Sequence, residues 1–338
     1  MIQNFPFASI IVLNYNGKPH LKECFSSIRK INYPKNRYEV IMGDNNSRDD
    51  SVAYVRKNFP WVRVLKLDKN YGFAEGNNKC VEHAKGKYVV FLNNDTKVDK
   101  NWLIELVKGF DYDEKIAVCG SKLLFYGKPN IINSAGGKMT WIGAGYNIGY
   151  KEKDQEKFNK LNFCGNVCGA SLIIRKDIFK KLGKFDSDYF AYCEDTDLCW
   201  RAWLYGHKVL YVPDSIVYHK LGGSFGQKEN FNLKICLVQK NRLANIVKNF
   251  ESQNILKGLC ISAAYDLSRA IKFLLSKKPQ NVLPIFRGNI LFCKSLNRLM
   301  QKRKEIQKRK VLSDSSLWKF NVFASLFESL KEEKKYSF

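Results

Sequence analysis

Along the first hundred residues, short apolar runs end in polar clusters at a steady interval. Ala8 to Leu13 (ASIIVL) is a continuous run rich in β-branched residues that breaks into Asn14-Tyr15-Asn16-Gly17, the pattern of a strand buried on both faces. Pro19 suits the first turn of a helix running to about Ile31. Tyr38 to Met42 predicts a second strand, ending at Asp44-Asn45-Asn46-Ser47, and Val62 to Leu67 a third. Asn70-Tyr71-Gly72-Phe73-Ala74-Glu75-Gly76-Asn77-Asn78 leads into a helix stopped by Gly86, and the next apolar run ends in Asn93, Asn94 and Asp95. Four strands separated by helical segments of crossover length predict right-handed βαβ units and a Rossmann-like, mostly parallel sheet of α/β class.

Trp102 to Phe110 reads as a helix and Ile116 to Gly120 as a strand, whereas residues 123–165 are Gly-rich and aromatic without a clear period. That stretch predicts hairpins and a mobile lid. Regular structure resumes with a strand at Ala170 to Ile174 and a short helix to Leu182 closed by Gly183. Phe185 to Tyr192 is an acidic, aromatic loop; a helix opens at Glu194-Asp195 and ends at Gly206; Lys208 to Val212 is a strand leading to Val217-Tyr218-His219. From Asn230 the texture changes to long, basic, amphipathic helices over Ile235 to Phe250, Ile255 to Leu275 and Ile290 to Ile306. The chain thus divides into an α/β unit, 1–229, and a helical appendage, 230–338.

With 338 residues, 45% hydrophobic and 26% charged, the chain can fill a large core. Residues 1–7 run straight into the first strand, and no stretch of about 18 uncharged apolar residues suggests a span, so the expected location is cytoplasmic. Ten cysteines without a CxxC pair read as reduced thiols, mostly small core residues. The net charge of +25 is uneven: from Asn230 onward there are 22 Lys and Arg against 7 Asp and Glu, an excess of 15. Such a bias implies an anionic partner, whether membrane surface, polyanionic glycan or nucleic acid. No RRM, KH or zinc-finger pattern accompanies it, and acids in the expected crevice repel phosphate without a metal, so nucleic acid is not expected.

In an open α/β sheet, ligands bind past the carboxyl ends of the strands. Asp95 at such an end is a candidate metal and phosphate anchor, although Asn and Asp there also serve as plain turn formers. Glu194, Asp195 and Asp197 open a helix, where acids either carry chemistry or merely complement the dipole.

The segments SIIVLNYN, MGDNNSRDDS, NYGFAEGNN, FLNNDTKV and GASLIIRKDIFKKLGKFDSDYFAYCEDTDLCWRAWLYGHKVLYVPDSIVYH occur in that order. Together they resemble glycosyltransferase family 2, more closely its rhamnosyltransferase-like branch, over roughly residues 7–250. The resemblance implies the A-type glycosyltransferase fold and inverting sugar transfer from a nucleoside diphosphate sugar, either dTDP-rhamnose or a UDP-sugar. Carried over, Asn14, Tyr15, Asn16 and Asp44 would hold base and ribose. Asn70, Gly72, Asn77 and Asn94 would line the sugar and diphosphate region, where a helix N-terminus offers free N–H groups.

Asp95 matches the last acid of the family's DxD signature, with Asn93 where the first Asp is usual. One carboxylate then remains for a divalent cation, Mg²⁺ or Mn²⁺, with His219 completing the shell. Asp195 matches the Asp of the Glu-Asp motif, the base that deprotonates the acceptor hydroxyl, with its pKa lowered by the helix dipole. Asp197 and Arg201, four apart, suit a bracing ion pair.

Processive relatives carry Gln-x-x-Arg-Trp and membrane spans; Gln239-Lys240-Asn241-Arg242-Leu243 lacks the Trp, which favours single addition. The acceptor would be a glycan or lipid-linked hydroxyl in cell-surface polysaccharide assembly. The basic helices would rest on an anionic bilayer or form a soluble subdomain or dimer contact. A silent relative that only binds nucleotide sugars is the alternative, and intact Asp44, Asp95 and Asp195 argue against it.

Overall fold

Alternate residues of the first apolar run face opposite ways, as a strand's period of two requires. In β1 (Ala8–Asn14), Ile10 and Val12 pack with Leu21, Phe25 and Ile28, whereas Ile11 packs with Ala74 and Val81 on the other face. The computed structural model describes residues 5–220, 231–333 and 335. β1 is followed by α1 (Lys18–Arg29), β2 (Tyr38–Asp44), α2 (Ser51–Asn58), β3 (Arg63–Lys66), α3 (Gly72–Glu82) and β4 (Tyr88–Asn93). In α1, Pro19 occupies the first turn, where its missing N–H is not needed, and Leu21, Cys24, Phe25 and Ile28 form the buried stripe.

Next come β5 (Thr96–Val98), α4 (Trp102–Lys108), β6 (Ile116–Phe125), β7 (Lys128–Ser134), β8 (Gly137–Met139), β9 (Gly145–Asn147) and β10 (Asn162–Phe163). They lead to β11 (Ser171–Arg175), α5 (Lys176–Lys181), α6 (Glu194–Leu204) and β12 (Lys208–His219). The sheet runs β3-β2-β1-β4-β11-β6-β12-β10. β3, β2, β1 and β4 are parallel, as are β6 and β12, while β11 lies antiparallel between β4 and β6.

Two segments differ from expectation. The strand expected to stop at Gly120 continues to Phe125, whereas the hairpins expected in 123–165 are present: β6 turns back as β7, and residues 137–147 form the β8–β9 hairpin. This stretch is pinned down, not lid-like: Met139 exchanges backbone bonds with Val322 and Ala324, and Trp141 stacks on Phe250 and Trp318. Its apolar residues lack a period because their partners lie far along the chain. β12 is one strand through His219, with a register break between Val212 and Ile216 that accommodates Pro213.

The last third supplies α7 (Phe231–Asn249), α8 (Ser252–Leu275), α9 (Leu283–Arg309), α10 (Asp314–Lys319) and α11 (Leu326–Glu333). α9 starts at Leu283 rather than Ile290 because Pro284 is at home in a first turn. Its Gly288 allows close packing on α7, since a Cβ there would come within 2.6 Å of Gln239 Cβ. Leu243, Ile246, Phe250, Phe292, Leu299 and Ile306 join the same core as Trp200 of α6. The expected boundary at residues 229 and 230 lies outside the described residues.

Candidate active site

Polar groups at the carboxyl ends of β1, β2 and β4 form one connected lattice. Asn14 Nδ2 donates to Asp44 Oδ1 (3.4 Å) and Ser47 Oγ (3.2 Å), and Asn94 Nδ2 donates to Asn14 Oδ1 (2.9 Å). Asp44 Oδ2 accepts the Ser47 N–H. Gly17 leaves room for this lattice: a Cβ there would lie 2.2 Å from Asn94 Nδ2 and 2.5 Å from Asn14 Oδ1. Asn16, exposed and at positive φ, accepts the Arg48 N–H at Oδ1, and Tyr15 beside it is half-buried.

Asp95 and His219 are both buried, with Oδ1 and Nε2 3.3 Å apart. His219 Nδ1 lies 3.1 Å from Asn133 Oδ1, and the tautomer protonated at Nδ1 would leave the Nε2 lone pair to a cation held beside the carboxylate. A hydrogen-bonded back nitrogen is what orients a metal-bound imidazole. Neighbouring ligands on an octahedral Mg²⁺-sized ion stand about 3 Å apart, close to the spacing seen here. The donor pair therefore fits a divalent cation, with remaining positions left to substrate phosphate and water. Among the described residues no cluster of three or more His, Cys, Asp or Glu forms a closed protein-only site.

Asp195 sits in the first turn of α6, its Oδ2 accepting the Gly169 N–H (2.8 Å) and its Oδ1 the Thr196 N–H (2.7 Å). Gly169 adjoins Ala170, whose carbonyl accepts the Asn93 N–H at the end of β4. Asp195 is thus tied by residues 169–170 to the end of β4, two residues before Asp95, and burial, then the charges of Asp195, Glu194 and Asp95, push the neighbouring Cys168 thiol up to about 12. The expectation that the helix dipole lowers the Asp195 pKa is overturned. Burial outweighs the backbone N–H donors and raises it. Glu194, fully buried, is raised well above the usual range by burial and by the Asp195 charge.

The loop leading to Asp195 is held by remote helices. Phe190, Tyr192 and Cys193 all have positive φ, a costly conformation that persists only when the surroundings impose it. Asn241 Nδ2 of α7 donates to the carbonyls of Ala191 (2.9 Å) and Tyr192 (2.8 Å), and Tyr189 Oη donates to Asn245 (2.8 Å). Beneath lies a buried ion network. Asp197 pairs with Arg201 (2.6 Å) and Lys248 (2.9 Å), as its spacing from Arg201 predicted, and Lys248 also meets Asp186 (2.5 Å). Burial would raise Asp186, but Lys248 and Lys302 of α9 outweigh it and hold the carboxyl well below its ordinary value.

A second expectation fails at α3. Its first N–H groups are not free: Phe73 and Ala74 both donate to the Phe190 carbonyl, at 2.5 and 3.3 Å. Gly72, at φ +73°, permits this approach, since a Cβ would come within 2.2 Å of that oxygen. Asn70 Oδ1 accepts the Gly72 N–H, and Asn77 Nδ2 donates within α3 to Phe73, so both amides already have partners inside the fold. Sequence reasoning did not single out Asn45, which clasps Tyr71 and Gly72, nor Asn133, Gly169 or Asn241. Only Asn241 carried a signal, lying between Gln239 and Arg242.

The family model described as "Glycosyl transferase family 2" matches residues 9–183. The poly-beta-1,6-N-acetyl-D-glucosamine synthase of Staphylococcus epidermidis is 22% identical over 226 residues, 65% of this chain and 52% of the synthase. The chain thus spans about half the length of that relative. Glycosyltransferase AglE of Haloferax volcanii is 25% identical over 227 residues, 65% of this chain and 68% of that protein. Among solved structures, S. aureus TarS 1–349 in complex with UDP-GlcNAc aligns with TM-score 0.57 at 18% identity, covering 90% of this chain and 87% of that one. The mannosyltransferase PcManGT from Pyrobaculum calidifontis, in complex with GDP-Man and Mn²⁺, aligns with TM-score 0.56 at 14% identity, covering 86% and 88%. These likenesses establish the A-type glycosyltransferase fold for the curled sheet and its flanking helices.

Proposed function

The chain belongs to glycosyl transferase family 2, and we propose that it transfers a sugar, with inversion, from a nucleoside diphosphate sugar to a hydroxyl of a glycan or lipid-linked acceptor. The observation that supports this reading is the anchored Asp195 carboxylate, tied through Gly169 and Ala170 to the end of β4, where the Asp44–Asn14–Asn94 lattice and Asp95 also lie. Asp195 takes the acceptor hydroxyl proton while the acceptor oxygen attacks the anomeric carbon from the face opposite the diphosphate. The bond to the diphosphate breaks and its electrons leave with that group. A base whose pKa burial raises is better matched to a hydroxyl proton than a dipole-depressed one.

Asp44, Asn14, Tyr15 and Asn16 receive the nucleoside in this reading, and Asn94 with the Asn70-to-Asn77 segment lies towards the sugar. Asp95 and His219 would hold Mn²⁺ or Mg²⁺, which when bound neutralises charge on the departing diphosphate. UDP-sugars and dTDP-rhamnose are the donors to test, in cell-surface polysaccharide assembly. Residues 1–229 carry the reacting groups and 230–338 support them.

The test is Asp195→Asn assayed with a donor panel and Mn²⁺. Turnover should fall by about 10²–10⁴-fold while calorimetric donor affinity stays the same. Normal turnover by that variant removes the base assignment. Tight donor binding by a wild-type protein that transfers to no acceptor would favour a binding-only role.

A further inference from the structure

The hairpin formed by α8 and α9 exposes an apolar stripe that nothing in the described fold covers. On α8, Leu256, Leu267, Ile271, Leu274 and Leu275 recur at helical spacing with Cys260, Ala263 and Ala264 between them, and all are exposed. Leu267 is 63% exposed and Leu275 81%. The opposite side of this helix is the packed one: Gly258 fits against Ile246 of α7, and Phe273 packs with Ile235 and Ile285. Beyond the turn the stripe continues on α9 with exposed Leu283, Phe286 and Ile290.

The charge around the stripe has one sign. Residues 252–304 contain eleven Lys and Arg; Arg269 and Arg303 are buried and Lys302 pairs with Asp186 and Asp188, which leaves eight exposed, and the single acid, Asp266, is engaged by Arg242 and Arg269. Lys272, Lys277 and Lys278 are exposed around the turn. A partner must therefore be apolar and anionic at once. A second copy of this face would set lysine against lysine, and a nucleic acid would leave the leucines in water. No helix among the described residues is long and apolar enough to cross a membrane, so α8 suits a position in the plane of an interface.

We propose that the outer face of the α8–α9 hairpin docks on an anionic lipid surface, with the leucine stripe inserted among acyl chains and the turn lysines on the headgroups. This goes beyond the transferase reading and does not depend on Asp195. It is tested by co-sedimentation of the full chain with vesicles of phosphatidylcholine alone, or of equal parts phosphatidylcholine and phosphatidylglycerol. Wild type should bind the anionic vesicles only, and less at high salt. Lys272→Gln/Lys277→Gln/Lys278→Gln should weaken binding on the order of 100-fold, and Leu267→Glu/Ile271→Glu should remove it. All five side chains are exposed, so both variants should keep the wild-type melting temperature and donor affinity. Absence of wild-type binding, equal binding by either variant, or a wild-type dimer in light scattering that Leu267→Glu/Ile271→Glu dissolves would each overturn the proposal.

Discussion

The Asn14–Asp44–Asn94 lattice and the loop that carries Asp195 are built by different means. On the β1–β2–β4 side, Asn14, Asp44 and Asn94 are placed by their own strand ends and bond to one another across neighbouring strands. On the Asp195 side, a loop with three residues at positive φ is imposed from outside, by Asn241, Lys248 and Lys302 on helices far along the chain. The first side depends on sheet register, the second on tertiary clamping. Damage should therefore spread differently in each.

The largest expected break is Lys248→Met, which leaves Asp197 and Asp186 short of a buried cation and should lower unfolding stability by about 3–5 kcal/mol. Denaturant titration checks it, and a loss below 1 kcal/mol would show that Arg201 and Lys302 suffice. Asn241→Ala should cut turnover by about 100-fold, because displacing a catalytic group by about 1 Å costs that much. Nucleotide affinity should stay unchanged, and a variant that loses nucleotide binding instead would erase the distinction between the sides. Gly17→Ala should do the reverse, weakening nucleotide binding by about tenfold, or 1.4 kcal/mol, with turnover at saturating donor preserved. The smallest effect is the position of the acid limb of the pH–rate profile. In the proposed mechanism Asp195 acts deprotonated, and burial raises its pKa, so activity should fall as pH drops through a midpoint above the ordinary 3.8. A limb at or below that value would mean the dipole prevails.

The same contrast explains what could be read before any coordinates. The ends of β1, β2 and β4 were legible because each apolar run stops at once in Asn or Asp, and strand geometry then fixes where those side chains meet. The clamp was not legible, since Lys248 and Lys302 look in sequence like solvated charges on basic helices and are identified only by the acids they reach. Asn133 was equally silent, its one signature being a bond to a histidine 86 residues away. Periodicity found α8, but a repeat of apolar positions does not distinguish a stripe that packs from one left outside.

One atom joins the two sides. The Phe190 carbonyl caps the opening turn of α3, next to the Asn45 clasp, and belongs to the same strained loop that delivers Asp195. Withdrawing that oxygen would release two amide hydrogens at the start of α3 and slacken the loop that carries Asp195 in a single movement. A substitution at this one contact, unlike those at Asn241 or Gly17, is therefore the change expected to disturb both sides at once.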